Sequence, residues 1–366
     1  MGSVFEYLTN LGHEQLVFCH DQETGLKAII GIHDTTLGPA LGGTRLWPYH
    51  SEEEAVRDVL RLSRGMTFKA ACAGIPLGGG KAVILSRPEE KSERLFRAYG
   101  RFVDSLGGRY ITAEDVNISV QDMDIVRMET RYVTGVSKEF GGSGNPAPVT
   151  AYGVFQGMKA AVLMQTGASS LKGLRIAIQG IGSVGQNLCR LVAEEGASLV
   201  LTDINQTRLV AVAKEFGAHT VSPEDIYSVD VDIFAPCAMG AVLNDTTIPQ
   251  LKAKIIAGAA NNQLADEVRH SNLLAERHIV YCPDYVINAG GLINVYHELI
   301  GYNAENARSQ AQKIFGTTKL ILERARGAAT TTHQAARALA EERLAAARGL
   351  RHLTTLETSP LANLRR

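Results

Sequence analysis

The run RIAIQGIGSVGQ, residues 175–186, decides the fold. Arg175–Gln179 is short and apolar enough for a buried strand. Gly180-Ile181-Gly182-Ser183-Val184-Gly185 follows, and Val184–Glu195 has the pattern of a helix. A strand ending in G-x-G-x-x-G and opening into a helix is a phosphate-binding turn. Gly180 permits the tight turn, Gly182 lets backbone approach a pyrophosphate, and Gly185 lets helix and strand pack closely. Backbone N–H groups at Ser183, Val184 and Gly185 present partial positive charge to the phosphates. The next strand, Leu199–Thr202, ends at Asp203, 18 residues after Gly185. Asp203 can accept both ribose hydroxyls and would repel a 2′-phosphate, so NAD is expected rather than NADP. Ile204 stands beside it on the cofactor side, with Asn205 and Arg208 nearby.

Working outward, further short strands are expected at Asp232–Phe234, Lys254–Ala257 and Ile279–Tyr281. Strands alternating with helices imply a parallel sheet covered on both faces. Pro236-Cys237-Ala238, Ala259-Ala260-Asn261-Asn262 and Pro283–Asn288 each follow a strand, where such sheets bind ligands. Ordinary turn formation is the other reading of the two asparagines.

Towards the N-terminus, Leu26–Ile32 reads as a strand. Ser51-Glu-Glu-Glu54 is a capping box opening a helix to about Arg64. Ala82–Leu85 reads as a strand after a glycine turn, Leu95–Leu106 as an amphipathic helix, and Gly141–Pro148 as a hinge. Ala304–Arg348 is helical, and nothing after His352 is patterned. The expectation is an α/β chain of two domains separated by a cleft. An N-terminal α/β substrate domain spans 1–145 and a Rossmann-type NAD-binding domain spans 146–329. Helices in about 330–366 return to the first domain.

The chain has 366 residues, 45% hydrophobic and 20% charged, with a formal net charge of −1. This balance argues against a generally cationic nucleic-acid binder. No run of 18 apolar residues suggests a membrane span. Met1–Asn10 lacks a basic stretch followed by an apolar core, so no secretory signal is expected. Five widely spaced cysteines (Cys19, Cys72, Cys189, Cys237 and Cys282) fit reduced, mostly buried thiols in a cytoplasmic protein. Ten histidines form no H-E-x-x-H or H-x-x-x-H, so no metal is expected.

Glycine is the unusual number, with 36 residues in clusters. Gly38-Pro-Ala-Leu-Gly42-Gly43 is one cluster. Gly74-Ile-Pro-Leu-Gly78-Gly79-Gly80-Lys81 is another, and it is no P-loop, because Ile75 and Ala82 stand where Gly and Ser/Thr belong. Lys69 and Lys81 flank a small-residue stretch, and Cys72 is the only other ionisable group between Arg64 and Arg87. A pair of strands joined by a turn would bring both lysines to one cleft. Mutual repulsion would then lower one pKa, as a general base requires. A surface position is the ordinary alternative for a lysine. Asp115, at another strand end, could balance the charge; a helix cap or surface charge is its plainer reading.

Gly65-Met-Thr-Phe-Lys69, Pro76-Leu-Gly-Gly-Gly-Lys81, Tyr110-Ile-Thr-Ala-Glu-Asp115, Gly144-Asn-Pro146, Pro236-Cys-Ala238, Ala259-Ala-Asn-Asn-Gln263 and Pro283-Asp-Tyr-Val-Ile-Asn-Ala-Gly-Gly291 occur in this order. Together they resemble the Glu/Leu/Phe/Val amino-acid dehydrogenases over about residues 10 to 345, most closely the leucine-oxidising members. The resemblance implies NAD-dependent, reversible oxidative deamination of an apolar L-amino acid to a 2-oxo acid and ammonia. It implies catalytic roles for Lys81 and Asp115, and substrate-carboxylate binding by Lys69 and Asn261. Gly42 and Gly43 would border the substrate, with Leu41, Met66, Ala113, Leu292 and Val295 around its side chain. Thr150, Cys237, Ala238, Ala259 and Asn288 join the glycine turn as cofactor contacts, and domain closure about the hinge is implied. The family also implies a homo-oligomer, octamer or dimer.

An apolar pocket disfavours glutamate, whose second carboxylate would lack a partner. Three features depart from the leucine-oxidising pattern: Leu292 for valine, Asn117 for glycine, and Arg87 for a polar residue. Phe18-Cys-His20, Ala70–Ala73 and Gly291–Tyr296 resemble a tryptophan-oxidising branch, which makes aromatic amino acids the second expectation. A non-catalytic NAD-binding regulatory module is the alternative of a different class.

Overall fold

The computed structural model describes residues 4–350. The patternless tail after His352 and Arg351, Arg365 and Arg366 lie outside the described residues, as do Met1–Ser3 of the N-terminus. Two compact units form. Unit 1 holds the described residues to Asn145, Val295–Ala304 and residues from 340; unit 2 holds Pro146–Asn294 and Glu305–Leu339.

Unit 1 starts with α1 (Val4–Leu11), β1 (Gln15–Asp21), β2 (Leu26–Asp34), β3 (Ala40–Trp47), α2 (Glu52–Ala73), β4 (Gly78–Leu85), α3 (Glu93–Ser105), β5 (Tyr110–Glu114) and α4 (Val120–Arg127). Its sheet runs β1-β2-β4-β3-β5. β2 is antiparallel to β1 and β4, whereas β3 is parallel to β4 and β5. The apolar face of α2 buries Val56, Val59 and Leu60 with Ile29 and Val83 of the sheet. Ser51 caps α2 by accepting from the Glu54 N–H at 3.1 Å.

Two sequence expectations fail here. The helix does not stop near Arg64 but runs through Ala70, Ala71 and Ala73, so Lys69 is helical and no strand pair joins the lysines. Alanine favours the helix, which ends at Gly74, φ 66°, whose N–H bonds the Ala71 carbonyl at 3.1 Å. Nor are Gly78–Gly80 a turn: they form the start of β4. A Cβ at Gly79 would lie 2.1 Å from Thr67 Oγ1 on α2, and one at Gly42 only 1.7 Å from the Gly80 carbonyl oxygen. These glycines let helix and strands pack backbone to backbone.

Unit 2 contains α5 (Ala147–Thr166), β6 (Arg175–Gln179), α6 (Ser183–Glu194), β7 (Ser198–Thr202), α7 (Gln206–Phe216), β8 (His219–Thr220), β9 (Ile233–Pro236), β10 (Ile255–Ile256), α8 (Glu267–Glu276), β11 (Val280–Tyr281) and α9 (Asp284–Ile287). The sheet is parallel, in the order β11-β10-β9-β6-β7-β8. Counted along the chain from β6 and read from the β8 edge, that order is 3-2-1-4-5-6, the Rossmann arrangement, with its switch point between β6 and β9. The fold is therefore α/β with a Rossmann-type domain. The edge strand β8, exposed at both residues, is one that sequence periodicity does not reveal. Val200, Phe234, Ile256, Leu274 and Tyr281 anchor one core of this unit.

The chain closes with α10 (Gly290–Leu299), α11 (Ala304–Gln312), α12 (Ile314–Ala328) and α13 (Thr332–Leu350). α12 packs on α5. Late in α13, Arg343 donates to the Ala71 carbonyl and, at 2.8 Å, to the Cys72 carbonyl, covering acceptors at the end of α2. Arg348 pairs with Asp34 of β2.

Candidate active site

Lys81 lies on β4, and Asp115 follows the end of β5, with β3 between those strands. Neighbouring strands are about 4.8 Å apart, so the two side chains must cross β3 to meet. They do: Lys81 Nζ is 2.8 Å from Asp115 Oδ2, and Lys81 is only 6% exposed. The crossing is open because β3 carries glycine there. A Cβ at Gly43 would lie 2.9 Å from Asp115 Cβ and 2.4 Å from the Glu114 carbonyl oxygen. Two residues on, and so on the same strand face, Arg45 donates Nε to the same carboxylate oxygen at 3.2 Å. Both cations sit on Oδ2. Burial alone would raise the Asp115 pKa, but the Lys81 and Arg45 charges outweigh it and hold the carboxyl below its usual value.

The strands under this pair are tied by buried hydroxyls. Thr44 Oγ1 is 2.6 Å from Thr112 Oγ1, and Tyr110 donates to the Gly42 carbonyl at 2.6 Å. Beside the pair, burial followed by the charges of Glu298 and Asp115 raises the Glu114 pKa. Asn117, which replaces a glycine of the family pattern, has φ 60°. Asparagine tolerates that left-handed conformation, and its Nδ2 donates to the Leu46 carbonyl at 3.0 Å. Lys69 is half-buried on α2.

Of the apolar candidates in unit 1, Leu41 and Ala113 are buried, while Met66 and Val295 are half-buried. Leu41 pairs in register with Gly79 and Ile111. Leu292 is buried in unit 2. Arg45, Asp58 and Tyr49, which hold the carboxylate side of the pair, escaped the sequence reading. The alternation Gly43-Thr44-Arg45 along one strand was their available signal.

In unit 2 the glycine turn is built as a cradle. Gly180 has φ 91° and meets Ala238, whose Cβ would be 2.6 Å from a Cβ at 180. Gly185 presses on the Gly180 carbonyl, where a Cβ would come to 2.1 Å. At Gly182 a Cβ would meet nothing within 4 Å, and no side chain caps the start of α6, which Ser183 and Val184 open. That open approach over a helix N-terminus fits a dinucleotide pyrophosphate. Asp203 Oδ2 accepts from the Ile181 N–H at 2.6 Å and Oδ1 from the Asn205 N–H at 2.7 Å, fixing the carboxylate beside the turn. Ile204 next to it is 91% exposed.

The later loops converge through side-chain amides. Asn288 Nδ2 donates to the Ala259 carbonyl at 3.0 Å and to Asn261 Oδ1 at 2.8 Å, while Asn288 Oδ1 is buried without a partner. An orphaned acceptor fits the carboxamide N–H of a nicotinamide. Gln263, also missed as a site-builder, donates its side-chain amide to the Gly258 and Ala260 carbonyls and its backbone N–H to Asp284 Oδ2. Thr150 donates to the Pro146 carbonyl at 3.1 Å and limits the space at Gly291. Burial pushes the Cys237 thiol up to about 12, which keeps it neutral. Among the described residues, no group of three or more His, Cys, Asp or Glu is placed to hold a metal, and no helix is long and apolar enough to span a membrane.

A Rossmann-type sheet joined in one chain to a buried lysine–carboxylate pair is consistent with a dehydrogenase, and the cradle with a nicotinamide cofactor. Comparison with known proteins narrows the class. The Glu/Leu/Phe/Val dehydrogenase dimerisation domain matches residues 13–132, and the Glutamate/Leucine/Phenylalanine/Valine dehydrogenase domain matches 141–202 and 201–351. Leucine dehydrogenase of Bacillus subtilis (strain 168) is 58% identical over 342 residues, 93% of this chain and 94% of that protein. L-tryptophan dehydrogenase of Nostoc punctiforme is 56% identical over 341 residues, 93% of this chain and 96% of that one. A crystal structure of L-tryptophan dehydrogenase from Nostoc punctiforme aligns with TM-score 0.84 at 53% identity, covering 94% of this chain and all (100%) of that one. The chain belongs to the Glu/Leu/Phe/Val dehydrogenase family and is an amino-acid dehydrogenase.

Proposed function

We propose that the protein oxidatively deaminates an apolar L-amino acid, leucine and other branched-chain substrates first, to the 2-oxo acid and ammonia, reversibly and with NAD. The observation that carries this reading is the buried Lys81–Asp115 pair reaching across a glycine strand. Identity of 58% to a leucine dehydrogenase supports the substrate class. Asp203 supports NAD, because a 2′-phosphate beside its carboxylate would be repelled.

In unit 1, Lys69, Gly42, Gly43, Leu41, Met66, Ala113 and Val295 are assigned to the substrate. In unit 2, Asn261 and Leu292 are also assigned to the substrate. Gly180, Gly182, Ser183, Val184, Gly185, Asp203, Ile204, Thr150, Cys237, Ala238, Ala259 and Asn288 are assigned to the cofactor.

When bound, the nicotinamide cofactor would supply the acceptor for the hydride that leaves the substrate Cα. The residues of this chain manage protons. Lys81, in its neutral form, takes a proton from the water that adds to the imine carbon. Asp115, 2.8 Å away, accepts that proton from Nζ and passes it to the carbinolamine nitrogen; Lys81, neutral again, takes the hydroxyl proton as the C–N bond breaks, the C=O bond forms and ammonia leaves. Lys69 neutralises the substrate carboxylate throughout.

The testing experiment is kcat/KM for Leu, Val, Ile, Phe, Trp and Glu, with NAD and with NADP. Preference for the branched-chain group with NAD supports the reading; preference for glutamate or NADP overturns it. The 56% identity to an L-tryptophan dehydrogenase favours a second reading, aromatic amino acids, and a higher kcat/KM for Phe or Trp would establish it. The match to the family's dimerisation domain supports a homo-oligomer, dimer or octamer, to be measured by light scattering. Five cysteines, none of them in a disulfide, support a cytoplasmic location.

A further inference from the structure

We propose that Arg45 is a positioning residue for the reaction, clamped by Asp58 and Tyr49, and that it aims and charges the Asp115 carboxylate. The inference rests on the assignment of Asp115 to proton transfer. Its basis is one bridging guanidinium. Arg45 Nε donates to Asp115 Oδ2 at 3.2 Å, and Nη1 donates to Asp58 Oδ2 at 2.9 Å. Asp58, on α2, is held in turn: Tyr49 donates to the same oxygen at 2.7 Å, and Arg61 lies 3.3 Å from the other. The Arg45 and Asp58 side chains are 23% and 15% exposed, so this contact is shielded rather than a surface pairing.

The geometry separates the two oxygens of Asp115. Arg45 and Lys81 share Oδ2, which pins the carboxylate plane. A rigid planar fork can do this for two carboxylates at once, whereas a lysine reaches one at a time. The groups facing Asp115 are Lys81 from β4, Arg45 from β3, and Glu114 and Tyr110 from β5. Arg45 faces Asp58 and Tyr49 on its other side. Lys81 and Arg45 are the two cations on the Asp115 carboxylate, while Asp58 keeps Arg61 as a second cation. Removing Arg45 takes one positive charge from beside Asp115 and raises the proton affinity of that carboxylate and its surroundings. The acid limb of the rate profile must then move to higher pH.

The test uses the full-length protein with NAD and L-leucine across the neutral and alkaline range. Arg45→Met should lower kcat about 10²-fold, the order expected of a misplaced catalytic group, and move the acid limb up by about one pH unit. The KM for NAD should stay unchanged. Arg45→Lys, which restores the charge without the fork, should recover about tenfold of kcat and the wild-type profile. Asp58→Asn removes a carboxylate but not the Arg45 charge. It should lower kcat about tenfold with no upward shift.

An unchanged profile in Arg45→Met, or no rescue by lysine, overturns the proposal. If Arg45→Met fails to fold by circular dichroism, Arg45→Lys and Asp58→Asn decide: wild-type kcat in both overturns it. Asp115→Asn separates the two layers. Near-normal turnover in that variant defeats the assignment of Asp115 itself. Loss of turnover there, with a normal Arg45→Met profile, defeats only the positioning role.

Discussion

The two glycine-rich regions of this molecule use the same residue for opposite ends. In unit 1, Gly42, Gly43 and Gly78–Gly80 are filled by the protein itself: each missing Cβ would collide with a strand, a helix or a ring. In unit 2, Gly180 and Gly185 are likewise packed, but Gly182 opens onto space. One cluster compresses a sheet until a lysine and an aspartate on non-adjacent strands meet. The other leaves open space over the start of a helix. A glycine count therefore says little until one asks what a Cβ would touch.

Substitutions can break this contrast, and the largest effect is expected at Gly42. A methyl group 1.7 Å from the Gly80 oxygen must push β3 from β4, so Gly42→Ala should cost about 3 kcal/mol in denaturant unfolding. A change below about 0.5 kcal/mol would show that the strands are not so tightly packed.

Next is the acid sensitivity of the same packed region. His13 contacts Leu60 and Ser63 of α2, and burial, then the His33 charge, lower its pKa to about 4. Unfolded histidine binds a proton near pH 6.5. Between these values the unfolded state holds more protons, so stability falls as pH drops through the window, by about 2–3 kcal/mol in all. His13→Gln should flatten the difference between urea titrations at either end of the window; an undiminished slope would assign it elsewhere.

Gly182→Ala, by contrast, should leave stability within about 0.5 kcal/mol of wild type while raising the KM for NAD about tenfold, because only the ligand meets the new methyl. Equal loss of stability at Gly182 and Gly42 would erase the distinction. The smallest effect is expected for Asp203→Asn, which keeps an acceptor for the Ile181 N–H but removes the charge. NAD over NADP discrimination should narrow by about fivefold, read as a ratio of kcat/KM.

The unit 2 turn was legible because its parts are local: strand, three glycines, helix and Asp203 lie within 29 residues, 175 to 203. Backbone does the work there, and spacing reports backbone. Lys81 and Asp115 could be named as members of a family pattern, but spacing alone did not pair them. Their meeting depends on β3 lying between β4 and β5, a topological fact. The same register hid Arg45, 70 positions from Asp115. The small residues Ala70–Ala73 read as strand because they flank a glycine cluster, yet alanine's helix preference and the left-handed cap at Gly74 were already the stronger signal.

The central claim is that unit 1 performs the proton chemistry and unit 2 holds the cofactor. The most direct test is Lys81→Ala, with NAD affinity and L-leucine turnover measured on the same preparation. The account predicts NAD binding within about twofold of wild type and kcat lower by about 10²–10⁴-fold. Near-normal kcat, or loss of NAD binding in step with activity, would contradict it.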